Sequence, residues 1–311
     1  MNELRKALNE YLSIRRKLGF KLQEAGKLLH DFVSFTEKEG VSFITTEIAL
    51  RWATQSLVCQ AARSATLLGI VRKFAQYQSA IDPRTEVPSQ ELLPYRYHRR
   101  PPYIYSNDEI KRLIKAAQQL PSPLGFRAAT YSTVLGLLVV TGMRINEPID
   151  LNRKDVDLIN GILTVHGTKF GKSRLIPMHP STLKALQQYE VFRGKIYPKP
   201  RTESFFISEQ GTRLTDWTVR RTFVKLSRQI GLRGLHDSHG PRLQDLRHSF
   251  ATKTLLAWYR NGMNVDRHMP ELSAYLGHAH VSDTYWYLSA VPELMQLAAM
   301  RVEQTQKGVL P

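Results

Sequence analysis

Apolar residues recur at three- and four-residue intervals through the first part of the chain, the spacing that lays one face of a helix against a core. Leu4, Leu8, Tyr11, Leu12 and Leu18 make one such stripe, and Leu22, Leu28, Leu29, Phe32 and Phe35 make a second that stops near Gly40. Thr45-Thr46-Glu47 supplies a cap ahead of Ile48, Leu50 and Trp52. A fourth helix is predicted over about 61–80, built on Leu67, Leu68, Ile70, Val71 and Phe74. Residues 1–92 therefore predict a small all-helical domain. The rhythm fails over 93–104, where Pro94, Pro101 and Pro102 cannot continue a helix, and an extended linker is expected there.

Helical and strand periods mix from residue 105 to residue 311. Ser106 and Glu109 have the spacing of a capping box ahead of Ile110, Leu113 and Ile114. An apolar run over 131–141 predicts a helix that ends at Gly142. Residues 161–167 and 173–178 then predict two strands joined by a hairpin turn over 168–172, and 204–208 predicts a third short strand. Further helices are expected over 181–192, 216–230, 243–259, 269–276, 283–287 and 292–304. The fold class is mainly α with a small β-sheet (α+β), without internal repeats.

Charge narrows the function. The 311 residues carry 44 Lys and Arg against 27 Asp and Glu, a net charge of +17. A surplus of that size points to a polyanionic partner, nucleic acid first. The linker has Arg96, Arg99 and Arg100 among tyrosines, which suits a segment crossing a phosphate backbone. Arg63, Arg72 and Lys73 on the fourth helix are candidates for a DNA-facing side, although an ordinary solvated face would look the same. The single cysteine, Cys59, excludes an intrachain disulfide and fits a reducing interior, where it reads as a packed residue. No apolar leader opens the sequence, and the apolar run 134–140 is too short to span a bilayer. A soluble, cytoplasmic protein is expected.

Several polar residues carry candidate chemistry. His278 stands beside Gly277 at a predicted turn, and an aromatic triplet, Tyr285-Trp286-Tyr287, follows. A phenol can form a covalent phosphate ester. Two fixed guanidiniums can hold the non-bridging oxygens of a phosphate. Arg144 and Arg247 are the candidates for those, Arg144 with Glu147 three residues on to orient it. An imidazole such as that of His278 can donate a hydrogen bond or move a proton. Lys169, at the hairpin tip, can act as a general acid, whereas Lys172 and Arg174 suit backbone phosphate contacts. His248 follows Arg247 directly and cannot share its direction, so a buried, satisfied histidine is expected; Gln244 lies one helical step from Arg247 and can share its face. None of these groups requires a metal or another cofactor.

In order along the chain these segments resemble the tyrosine recombinase family of phage-integrase and Xer-like site-specific recombinases. Thr141-Gly142-Met143-Arg144-Ile145-Asn146-Glu147, with Leu151, is similar to the family's first arginine box. Residues 168–177 are similar to its β-hairpin lysine segment, and Asp245-Leu246-Arg247-His248 to its second arginine box. Leu276-Gly277-His278 with Thr284 and Tyr287 is similar to its last box. The spacing from His278 selects Tyr287 over Tyr285. One position departs from the pattern: Gln244 stands where the family usually has a histidine, and glutamine donates a hydrogen bond but shuttles no proton. The resemblance implies a helical core-binding domain (1–92), a basic Pro-rich linker (93–104) and a mixed catalytic domain (105–311). It implies a mobile-element enzyme that cleaves and rejoins double-stranded DNA through a 3′-phosphotyrosyl link, without metal or ATP. Arg144, Lys169, Gln244, Arg247, His278 and Tyr287 would be its catalytic set. It further implies a homo-tetramer on DNA, with other recombinases as possible partners, and a C-terminal helix that docks on a neighbour or folds back. A type IB topoisomerase-like nicking-closing enzyme and a catalytically impaired DNA-binding accessory recombinase are the alternatives.

Overall fold

The computed structural model describes residues 3–55, 61–94, 101–167, 173–199 and 201–306. Cys59, the linker arginines Arg96, Arg99 and Arg100, and the hairpin residues Lys169 and Lys172 lie outside the described residues. The chain divides into two compact units, residues 1–100 and 101–311.

The first unit contains helices α1 (Glu3–Lys17), α2 (Gln23–Lys38), α3 (Thr46–Thr54) and α4 (Ala61–Gln78). Their apolar stripes meet in one core around Leu4, Leu8, Phe32, Trp52, Val71 and Phe74. The Thr45 hydroxyl accepts from Ile48 N at 3.2 Å and starts α3. Trp52 is buried yet satisfied, because its Nε1 donates to Asp31 at 3.0 Å. Of the three basic residues expected to face DNA from α4, Lys73 is exposed. Arg63 is exposed too and faces Glu24 at 3.4 Å. Arg72 is otherwise engaged: Nε and Nη2 donate to the carbonyls of Pro88 and Ser89 at 2.6 and 2.7 Å. Its guanidinium ties down the chain that follows α4 and is not presented as a free phosphate contact.

The second unit begins with α5 (Asn107–Gln118), α6 (Phe126–Thr141) and the short α7 (Asn146–Asp150). The Ser106–Glu109 capping box is formed at the start of α5. Three antiparallel strands follow, β1 (Val156–Asp157), β2 (Ile162–Val165) and β3 (Arg174–Pro177), in the order β1-β2-β3. Leu163 pairs with Ile176 and Val165 with Arg174. Then come α8 (Pro180–Ile196), α9 (Asp216–Gln229), α10 (Asp245–Arg260), α11 (Val265–Leu276), α12 (Ser282–Tyr285), a 3-10 turn (Trp286–Ala290) and α13 (Pro292–Gln306).

Helix α6 is buried on nearly every side through Phe126, Tyr131, Val134, Leu135, Leu137 and Leu138, and it packs against α5, α8 and α10. A second core joins α10, α11 and the C-terminal segment through Leu255, Met269, Leu276, Tyr287 and Leu294. The base of α13 folds back on α10 through Leu294, while Met295, Met300 and Val302 are exposed. Residues 204–208 are not the third strand. Ser204 and Ile207 make only isolated bridges, to Asn152 and Arg213, and Phe205, Phe206 and Ile207 are buried in succession in the main core. Strand β1 takes the third place in the sheet instead, joined to β2 by a turn in which Asp157 Oδ1 accepts from Ile159 N and Asn160 N. Among the described residues no helix is long and apolar enough to cross a membrane.

Gly142 ends α6 in the left-handed conformation, φ 61°, with its N–H bonded to Leu138 O at 3.0 Å. A Cβ at this position would lie 2.6 Å from Phe250 Cδ1. Both the backbone conformation and the space therefore demand glycine. Gly142→Ala is expected to cost about 2–4 kcal/mol, the sum of left-handed strain and overpacking. Urea unfolding of the two proteins measures it, and equal midpoints would contradict the packing argument.

Candidate active site

A helix leaves its last carbonyl oxygens without partners in the helix itself. Helix α11 ends in this way at Gly277, whose φ of 68° turns the chain out of the helix. Guanidiniums meet the exposed oxygens. Arg174 Nε donates to Tyr275 O at 2.8 Å, Arg247 Nη2 to Leu276 O at 2.7 Å and Arg144 Nη2 to Gly277 O at 3.1 Å. The negative end of the helix dipole adds to the attraction.

Each arginine arrives from a different element. Arg144 lies in the turn between α6 and α7, two residues after Gly142. Its backbone N–H and Nη1 both donate to Glu147, at 2.8 and 3.2 Å. Its side chain is 33% exposed, against 9% for that of Glu147. Arg247 lies in the first turn of α10 and is 2% exposed. Nη1 reaches Gly142 O at 2.8 Å, which fastens α10 to the end of α6. Burial, with the nearby charge of Arg144, lowers its pKa to about 10, and it remains a cation at neutral pH. The Glu147 side chain is largely enclosed, at 9% exposure, which would raise its pKa. The Arg174 fork, the charge of that arginine, the Arg144 backbone N–H and the Arg247 charge outweigh burial and hold the carboxyl below its ordinary value. Three guanidiniums thus surround one carboxylate, an arrangement that attracts a further anion.

His278 follows the Gly277 turn. Its Nδ1 is 2.7 Å from the buried Thr284 hydroxyl, which fixes the ring and leaves Nε2 as the edge for a ligand. Burial and the charges of Arg247 and Arg144 push its pKa down to about 4, so the imidazole is neutral at pH 7. The short α12 and the 3-10 turn bring Tyr287 back over this ring, with centroids 6.0 Å apart and planes at 20°. Tyr287 is 3% exposed, and its hydroxyl is near enough to Arg247 to favour the charged guanidinium. Tyr285 is 42% exposed and points elsewhere. His248 is buried against the rings of Trp286 and Tyr287 at 5.1 and 5.5 Å.

Gln244 immediately precedes α10 and is half-buried, and its side chain makes no hydrogen bond among the described residues. Arg174 differs from its expected role. Its side chain is 10% exposed and its fork is filled by Glu147, so it is not an open contact for backbone phosphate. Two features escaped sequence reasoning: the Arg174–Glu147 pair, for which no local signal exists, and the Thr284 contact to His278. The six-residue spacing that lets α12 fold back was legible for the latter. Among the described residues no group of three or more His, Cys, Asp or Glu side chains could hold a metal ion.

The family model described as the phage integrase family matches residues 104–293. The chain is 47% identical over 308 residues to a protein described as an integrase/recombinase, y4rB, of Sinorhizobium fredii, covering 98% of each. It is 31% identical over 237 residues to the tyrosine recombinase XerD of Staphylococcus haemolyticus, covering 75% of this chain and 74% of XerD. In fold it matches a lambda integrase tetramer solved on a Holliday junction, with a TM-score of 0.59 at 19% identity over 89% of this chain and 77% of that one. This chain belongs to the phage integrase family of tyrosine recombinases and is a site-specific DNA recombinase.

Proposed function

We propose that Tyr287 is the nucleophile of a recombinase that cleaves duplex DNA one strand at a time within each recombination site. One observation carries this reading: Arg144, Arg247, His278 and Tyr287 converge at the C-terminal end of α11. Tyr287 Oη gives up its phenolic proton to water as it attacks the scissile phosphorus, an O–P bond forms, and the bond to the 5′-oxygen breaks. A 3′-phosphotyrosyl link and a 5′-hydroxyl result. The Arg247 guanidinium beside Tyr287 stabilises charge developing on Oη, and with Arg144 it neutralises the equatorial oxygens of the pentavalent phosphate. His278 Nε2–H and the Gln244 amide donate hydrogen bonds to those oxygens. Lys169 protonates the departing 5′-oxygen. Attack by the 5′-hydroxyl of a partner strand reverses the chemistry, and the phosphodiester energy is conserved.

In this reading residues 1–92 form a core-binding domain, 93–104 a basic linker along the backbone, and 105–311 the catalytic domain. Two subunits bind each site and four form the synapse, as the fold likeness to a tetrameric integrase on a Holliday junction supports. The protein acts in the cytoplasm on the host's DNA. Gln244 favours a second reading, an accessory recombinase that binds without cleaving, because no histidine stands there to exchange protons.

A nicked suicide duplex, selected from a randomised pool by binding to this chain, separates the two. The native chain and Tyr285→Phe are expected to form a covalent adduct on a denaturing gel, and Tyr287→Phe none. No adduct from the native chain would leave the accessory reading standing.

His278 supplies a pH test. Its pKa in the folded chain, about 4, lies below the ordinary 6.5, so the unfolded chain takes up the proton first. The stability that a neutral His278 permits is complete above pH 6.5 and declines as pH falls towards 4. The native chain should lose stability relative to His278→Ala across that window in urea titrations. A bound phosphodiester supplies negative charge and should raise this pKa, read from imidazole NMR shifts with and without DNA. An imidazole that titrates near 6.5 in the free chain would contradict the assigned environment.

A further inference from the structure

Arg174 opens β3, directly after the hairpin segment that contains Lys169. All three of its side-chain nitrogens have partners. Nη1 and Nη2 donate to Glu147 Oε1 and Oε2 at 3.0 and 2.7 Å, and Nε donates to Tyr275 O at 2.8 Å. The first two form a bidentate fork, the strongest geometry available between these groups. Glu147 is therefore shared. It holds Arg174 through two short bonds and the Arg144 guanidinium through one longer bond, at 3.2 Å.

That division has a consequence for Arg144. A largely enclosed carboxylate whose only cationic partner was Arg144 would draw that guanidinium into its own fork. A bidentate fork takes one whole edge of a guanidinium, so Glu147 would then compete with a phosphate for Arg144. With Arg174 in the fork, Arg144 spends Nη1 on single bonds to Glu147 and, at 3.5 Å, to Leu276 O, and Nη2 on Gly277 O; Nε has no partner among the described residues, and the side chain stays 33% exposed. Arg174 also supports the turn from below: a Cβ at Gly277 would lie 2.7 Å from its Nη1. The guanidinium thus fills the space beside the residue that receives Arg144 and precedes His278. No other side chain described in the structure bridges β3, α7 and the end of α11 in this way.

We infer that Arg174 is a positioning residue for DNA cleavage: by occupying the Glu147 fork beneath Gly277, it leaves Arg144 an edge free for the scissile phosphate. This rests on the assignment of Arg144 and Tyr287 given above. Lysine at position 174 keeps the charge but cannot form the fork. Arg174→Lys should therefore lower single-turnover adduct formation on the suicide duplex about 100-fold at saturating DNA, the scale of one lost transition-state contact, while the half-saturating DNA concentration stays within about twofold. Replacing the scissile phosphate with a methylphosphonate removes one anionic oxygen and with it much of the demand for Arg144. On that duplex the deficit should shrink to about tenfold or less relative to the native chain. Glu147→Gln reaches the same contact from its other end and should show the same shrinkage. A structural lesion would slow both duplexes equally. Equal deficits on the two duplexes in both variants, or native rates from Arg174→Lys, overturn the inference. A native chain that forms no adduct overturns the Tyr287 assignment instead, and the same gel shows which has failed.

Discussion

The end of α11 presents three successive carbonyl oxygens, and guanidiniums from three elements far apart in sequence close on them. This is the contact on which the site depends. Arg247 links that end to Gly142 and so to α6. Arg174 links it to β3, and Arg144 links it to α7 through Glu147. Helix ends normally meet water or a capping side chain. Here they serve as the anchor that holds like charges together.

Gathering like charges is costly, and the structure shows where the cost is offset. Arg247 is almost fully buried, yet four groups stabilise it: two backbone carbonyls, the Glu147 charge and the Tyr287 hydroxyl. One carboxylate for three guanidiniums still leaves a positive excess. Burial depresses the His278 pKa, and that excess adds to the shift, so the imidazole is neutral at pH 7. A phosphodiester entering the site relieves the repulsion that the free protein carries, which is the sense in which the site is complementary to its substrate. Gln244 fits this pattern, because it too offers a hydrogen bond and no proton exchange.

Much of the secondary structure was legible. The apolar stripes of α1 to α4 pack as their spacing predicts except at Leu18, which lies past the end of α1 and is 66% exposed, and the capping box at Ser106 forms. The misses have local causes. Helix α11 was expected to start at Met269. Its cap is Asn264, whose side chain accepts from Arg267 N, and the helix continues through the proline. The run Phe205-Phe206-Ile207 suggested a strand, but continuous burial can arise from helices on either side as well as from a sheet. Strand β1 spans only two residues, too few for a period to show.

The sequence by itself determined what is local. Glycines at 142 and 277 supply the left-handed turns, and the nine residues from His278 to Tyr287 suffice for one short helix to bring the phenol back over the imidazole. These depend on φ, residue size and helical rise, all of which belong to short segments. Tertiary structure decided which charges meet. Arg174 looked like one more basic residue on a hairpin, available to DNA. Its partners Glu147 and Tyr275 lie 27 and 101 residues away, so their contact follows from how β3, α7 and α11 pack and from no periodicity in the chain. An ion pair over such separations is made by the fold, and only the fold shows that Arg174 is paired with Glu147 at 10% exposure while the Arg144 side chain stays 33% exposed.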